Sequence, residues 1–489
     1  MSFFKKSLKG FAWNHLAKLS EYGLTYLIGI IFARLLQPSE YGIYVTVMSI
    51  ASIAIILGAV GFDETLNKII PQLRVKNELP QLRYIVSKLF KIRFIVLIIF
   101  SLLIYIFRFE IEGLLQTKNI SSYISSITIF IVAQGLVNFS VNYLIGNLKT
   151  KKVFILNLLL KISTLIISTL LLYYNFGLRN IFLYFGIITS TFFLFYFKEI
   201  VNSSAGEKLK TELKSIYKFS FATWGNAILG LVLGRYSVLL ILGFYFGVTE
   251  QSAYFEIAWA LTLVIEYLFA VGFVGVSITL FSELAAEKIN ELADARSKMM
   301  KYHQLFIFPV SLFSIIYSTE IISFLYSPKY LPAAELFKIF LSCNLIAVSI
   351  FGSGLNAGVL LSIGKQKIVF VNRAIIGAFS LIANILVIPN HGAIGAITVS
   401  GISIIITFAS EYFIASKYIG SKYDYVFILK VIIVSIVSLT IVRNVGFDSQ
   451  FKLFISATFY STLITLGYYL TKIVNREIKE KLFNLISNG

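Results

Sequence analysis

The chain has a single cysteine, Cys343, among 489 residues. No intramolecular disulfide and no cysteine metal cluster can form. Histidine is nearly as scarce. His15, His303 and His391 lie far apart in sequence, and no pair has ligand spacing. No histidine–carboxylate cluster or paired-aspartate metal motif stands on a sizeable polar loop. Such groups are what a membrane glycosyltransferase or polymerase would need for acid/base chemistry. Charge is short overall, at 14% of residues. Soluble domains carry about 25%.

What fills the space is hydrocarbon, since 57% of residues are hydrophobic. That composition indicates an all-α integral membrane protein. The net charge of +19 is read as lysine and arginine in short loops facing the cytoplasm and anionic lipid, with no nucleic acid implied. Lys5, Lys6 and Lys9 ahead of an apolar stretch resemble a signal peptide. No small-residue cleavage site follows, so this stretch is expected to be a retained first helix.

Apolar runs long enough to cross a bilayer fall at 12–36, 41–62, 94–108, 122–146, 153–174, 178–198, 217–246, 251–281, 304–326, 332–361, 368–388, 392–416, 424–443 and 453–473. About 14 transmembrane helices are therefore expected, the third being short unless Ile85 to Phe90 joins it. Basic residues concentrate in alternate loops. The opposite set holds only Arg34, Arg108, Lys118, Arg179, Lys329, Arg443 and Lys452. This bias predicts a multi-pass protein of the cytoplasmic membrane with both termini in the cytoplasm. The two longest cytoplasmic connections, 63–93 and 282–303, mix charge with apolar residues at helical spacing and predict surface helices.

A weak internal repeat is present. AVGF recurs at 59–62 and 270–273, NEL at 77–79 and 290–292, KKVF at 151–154 as KIVF at 367–370, and YNFG at 174–177 as PNHG at 389–392. SEYGIY at 39–44 pairs loosely with EQSAY at 250–254. The matches keep one order with a slowly drifting offset, which places helices 1–6 over helices 7–12. The expected organisation is a lobe at 1–201, a polar linker at 202–218, a second lobe at 219–420, and two appended helices with a tail at 421–489. An even number of spans per copy gives both copies one orientation, with substrate handled between them.

Three stretches then carry a resemblance: ARLLQPSEYGIY at 33–44, FSELAAEKINELADARSKMMKYH at 281–303, and GVLLSIGKQKIVFVNRAIIGAFSLIANILVIPNHGAIGAI at 358–397. Over helices 1–12 the chain resembles the polysaccharide (Wzx-like) flippases of the multidrug/oligosaccharidyl-lipid/polysaccharide exporter superfamily. The resemblance implies two six-helix lobes that open alternately, and a lipid-linked oligosaccharide as cargo. Lipid II flippases of the superfamily resemble it in carrying fourteen helices, which implies a lipid-tail groove at helices 13 and 14. Membrane lipids, a polysaccharide polymerase and glycosyltransferases are the implied partners.

Charges inside the spans are the candidate site, because they are costly in hydrocarbon. Arg235 sits within AILGLVLGRYSVLLILGFYFG at 227–247. It is about 16 Å from the outer end of its helix, at 1.5 Å per residue. Arg235, Lys18 and Lys161 are candidates to offset a pyrophosphate during crossing, with Arg34 near the outer end of helix 1 to receive it. Lys18 and Glu21 lie three apart, where they can pair. Glu21, Glu256 and Glu266 are candidates for proton or sodium coupling, or for charge balance. The alternatives stay open. Arg235 can simply bridge to Glu256 or Glu266, or snorkel. Glu411, Arg373 and Lys430 are read as snorkelling to the cytoplasmic side. A multidrug/cation antiporter on the same fold is the competing function. No cofactor or metal is expected.

Overall fold

In a computed structural model of the protein, the structure describes residues 3–201, 213–287, 289–352, 354–420, 423–446 and 452–473. Every regular element among them is helical. The first helices are α1 (Phe3–Leu35), α2 (Pro38–Leu57), α3 (Phe62–Val75), α4 (Leu79–Ile106), α5 (Arg108–Leu114), α6 (Ile120–Gly146), α7 (Thr150–Tyr173) and α8 (Gly177–Val201). Then follow α9 (Leu213–Leu233), α10 (Arg235–Phe246), α11 (Glu250–Glu287), α12 (Leu292–Ile316), α13 (Ser318–Tyr326), α14 (Ala333–Phe351), α15 (Leu355–Ser362), α16 (Gln366–Ile419), α17 (Tyr425–Val445) and α18 (Lys452–Leu470). Among the described residues, 12 helices are long and apolar enough to cross a membrane. The 54-residue α16 counts once there, although Gly392 interrupts it at φ 53°, ψ −138°. That is a backbone conformation side-chain-bearing residues avoid.

Local chemistry sets the boundaries. At the start of α2, Pro38 occupies the first turn, and the Glu40 carboxylate accepts from the Gln37 backbone N–H at 2.9 Å. The amphipathic reading holds for α3, whose Phe62, Leu66, Ile70 and Leu73 are buried. Two other readings need correction. The basic segment after Leu79 is no surface helix, because α4 runs unbroken from Leu79 to Ile106 and takes Ile85 to Phe90 into the third span. Between α11, ending at Glu287, and α12, starting at Leu292, only the short turn Ile289–Glu291 is described, so the 282–303 surface helix is absent too. In α4 the apolar face continues directly into a span and the backbone ladder stays intact, while residues 292–303 form the start of α12.

The continuity of α4 buries Arg93, which loop counting had placed among the cytoplasmic cations. It is fully buried and donates to Asp63 Oδ1 at 3.3 Å and to the Gly135 carbonyl at 3.0 Å. Glu411 also does not snorkel. It is fully buried and accepts from Arg373 Nε at 2.8 Å, beside a bond from Asn372 to Ser410 at 2.8 Å. The pairs lie one residue apart and tie the start of α16 to its end.

The chain divides into two compact units, Met1–Glu256 with Leu381–Ala396 and Ile257–Ser380 with Ile397–Gly489. This cut differs from the repeat-based lobes of the sequence. The linker residues 202–212 and the side chains of Lys5, Lys6 and Lys9 lie outside what is described. The first unit has a core of Phe62, Ile70, Leu89, Phe139, Leu144 and Tyr196. The second has one core around Phe313, Val431, Tyr460 and Tyr468 and another around Phe281, Met300, Leu360 and Tyr412.

Candidate functional site

The expected seventh span is broken where the charge sits. The chain leaves the α-helix at Gly234, with φ −90° and ψ 171°, and α10 begins at Arg235. A Cβ on Gly234 would stand 2.7 Å from the Gly230 carbonyl, so the break requires glycine. Arg235 thereby occupies the first turn of a new helix within the apolar segment.

Arg235 Nη1 donates to Glu256 Oε1 of α11 at 2.6 Å. The side chains are 27% and 12% exposed. The ion pair anticipated as one alternative therefore forms, with Glu256 and not with Glu266. The guanidinium carbon lies 5.1 Å from the Tyr236 ring centre. Tyr41 and Tyr44 of α2 lie within electrostatic range of the pair.

Lys161 of α7 lies within electrostatic range of Glu21 of α1 and of Tyr236, with no ion pair between Lys161 and Glu21 among the described residues. Tyr236 is likewise within range of Arg235 and of Tyr22. Asn157, one turn from Lys161, donates to Glu21 Oε2 at 3.5 Å and accepts from the Tyr196 hydroxyl at 2.5 Å. Asn157 and Lys161 are four apart on α7, so both face α1. That placement explains why Glu21 turns to α7: among the described residues no ion pair joins it to Lys18.

The structure joins Arg235 to Glu256 and sets Lys161 within electrostatic range of Glu21. Lys18 and Arg34 are exposed on α1, Arg34 in its last turn. Glu266 belongs to the second unit, where Asn344 Nδ2 lies 3.5 Å from its Oε2. Sequence reading missed Asn157, Tyr236 and Tyr44. For Asn157 a signal existed, since a polar amide one turn from an intramembrane lysine marks one face. No such signal singles out two tyrosines among 28. Among the described residues no group of three metal-ligating side chains gathers.

Chemically the site holds two cations and two carboxylates within the first unit. Arginine has five N–H donors in a planar fork. The single bond to Glu256 leaves donors for oxygens of an arriving anion.

Three comparisons bear on what such a chain is. A solved structure of the lipid II flippase MurJ, in an inward closed conformation, superposes with a TM-score of 0.77 at 17% identity, covering 94% of this chain and 98% of that one. A Vibrio cholerae MATE transporter superposes with a TM-score of 0.60 at 15% identity, covering 86% and 97%. These likenesses show a shared fold. An uncharacterized membrane protein of Methanocaldococcus jannaschii is 24% identical over 517 residues, covering 99% of this chain and 100% of that protein. The family model described as polysaccharide biosynthesis protein matches residues 31–335. That match spans more than half of the chain, which therefore belongs to this polysaccharide biosynthesis family, as a multi-pass membrane protein with the fold of MurJ and the MATE proteins.

Proposed function

We propose that the protein is a flippase that moves a polyprenyl-pyrophosphate-linked oligosaccharide across the cytoplasmic membrane by alternating access, for cell-surface polysaccharide synthesis. The observation that carries this reading is Arg235 at the helix break, half-buried and paired with Glu256. A pyrophosphate entering a low-dielectric slab needs counter-charges that are already ordered. Arg235 and Lys161 supply them, and Glu256 and Glu21 keep them neutralised while the site is empty. Substrate binding and ion pairing then describe two states of one arginine. Protonation of Glu256 would release Arg235 to the phosphate, which gives a route for proton coupling. Lys18 and Arg34, exposed on α1, would meet the cargo at its margins. Polymerase and glycosyltransferases of the same pathway would supply and consume it.

The carboxylates Glu21 and Glu256 favour the second reading, a cation antiporter, since a cation could compete for them. Translocation of a fluorescent undecaprenyl-pyrophosphate oligosaccharide in proteoliposomes separates the two. Arg235→Ala should abolish transport and destabilise the fold by about 3 kcal/mol, because it strands a buried carboxylate. Arg235→Ala with Glu256→Ala should restore most of the stability and none of the transport. Full transport by that double variant would reduce the pair to a structural brace. Exchange of organic cations for protons or sodium by the wild type, with no movement of lipid-linked sugar, would hand the function to the antiporter.

A further inference from the structure

At one end of the second unit a cavity of 480 Å³ opens between the ends of five helices. Tyr317 follows α12, Glu320 stands on α13, Lys338 on α14, Arg443 and Gly446 at the end of α17, and Lys452 at the start of α18. Three of these are cations and one is an anion. Lys452 reaches Glu320 only at 3.9 Å, and the Glu320 carboxylate already takes the Thr319 hydroxyl at 2.7 Å. Among the described residues neither Lys338 nor Arg443 has an ion-pair partner.

The location makes this convergence informative. Charge bias assigns this end to the side of the membrane where basic residues are scarce, and Arg443 and Lys452 are two of only seven basic loop residues there. Lys338 joins them from a position 105 residues before Arg443. Gathering three cations around one hollow costs mutual repulsion, which an anionic occupant removes. The hollow is walled by Ile315 and Val442 and opens at helix ends, and the ends of membrane-spanning helices are where lipid headgroups lie. A planar guanidinium with two ammonium groups suits the oxygens of a phosphate.

We propose that this cavity is a binding site for the phosphate of an anionic lipid headgroup, separate from the Arg235 cluster and independent of the cargo assigned above. The bound lipid would link α13 and α14 to the appended pair α17 and α18 through their basic side chains.

The test uses the purified full-length chain in detergent, titrated with phosphatidylglycerol, phosphatidylcholine, undecaprenyl phosphate or sodium pyrophosphate, with binding followed by native mass spectrometry. Lys338→Gln with Arg443→Gln should weaken phosphatidylglycerol binding roughly thirtyfold, about fivefold for each cation removed. Phosphatidylcholine binding should be weak for every form. Arg179→Gln, an exposed cation of the first unit, should leave affinity unchanged. All variants should melt with the wild type. Undecaprenyl phosphate held more tightly than phosphatidylglycerol, and lost in the same double variant, would support the site and name the carrier lipid as its occupant. Equal lipid affinity in wild type and double variant would overturn the proposal. So would binding of pyrophosphate alone with no lipid retained.

Discussion

Arg93 and Arg235 show how differently two membrane arginines are held. Arg93 is fully buried and bonds one carboxylate and one carbonyl within its own unit. It reads as a brace between α3, α4 and α6. Arg235 keeps 27% of its side chain exposed and pairs across a helix break. Single residues also carry backbone strain. Leu148 closes α6 with φ 57°, its N–H bonded to the Ile145 carbonyl at 2.9 Å and that of Lys149 to Leu144 at 2.9 Å. At the matching place in the repeat the residue is Gly364, with φ 74° and the same two bonds, from Gly364 to Leu361 at 3.1 Å and from Lys365 to Leu360 at 2.8 Å. A leucine there is strained by about 1 kcal/mol. Leu148→Gly should relieve that strain and, after the entropy cost of glycine, stabilise by about 0.5 kcal/mol. Thermal unfolding in detergent should show a slightly raised melting temperature. A clear fall would mean that the Leu148 side chain contributes more by packing than its backbone loses.

Among the elements, α12 and α18 illustrate how a broken ladder is mended. Pro309 lies inside α12 and has no N–H for the Leu305 carbonyl four residues earlier. In a membrane such an orphan is expensive, because no water reaches it. The Tyr468 hydroxyl of α18 donates to the Leu305 carbonyl at 2.9 Å, and Tyr460 of the same helix donates to the Pro309 carbonyl at 3.2 Å. The tyrosines are eight apart, two turns on one face, so a single helix serves both carbonyls. Tyr468→Phe keeps the ring and removes the donor. It should destabilise the protein by about 1 kcal/mol, visible as a lower melting temperature. Tyr469→Phe, at a neighbouring position that is 75% exposed, should change nothing. Equal behaviour of the two variants would show that the Leu305 carbonyl finds another donor. The appended helices thus complete a helix of the second unit, a role their hydropathy alone does not reveal.

For the whole molecule, charge asymmetry between alternate loops sets the expected orientation, with both termini in the cytoplasm. Cys343 is the sole cysteine, so Cys343→Ser gives a cysteine-free background. In it, Lys118→Cys and Arg179→Cys should react with a membrane-impermeant maleimide in intact cells. Lys151→Cys and Lys417→Cys should react only after permeabilisation. All four positions are exposed. Labelling in the reverse pattern would invert the topology and place the basic cavity of the second unit on the cytoplasmic side.

Hydropathy, loop charge and the repeated motifs are properties of short windows, so the sequence by itself determined the helical membrane class, the order of spans and the family resemblance. YNFG and PNHG even end at glycines of positive φ, Gly177 at 75° and Gly392 at 53°. Pairing is another matter. Arg235 chose Glu256 over Glu266, Glu21 chose Asn157 over Lys18, and Tyr468 found a carbonyl 163 positions away. Helical spacing names the neighbours along one helix and is silent about which face of another helix will meet them. In a low-dielectric interior every charge and every orphaned carbonyl must find a partner, and only the packing of helices distant in sequence decided which partner each one has.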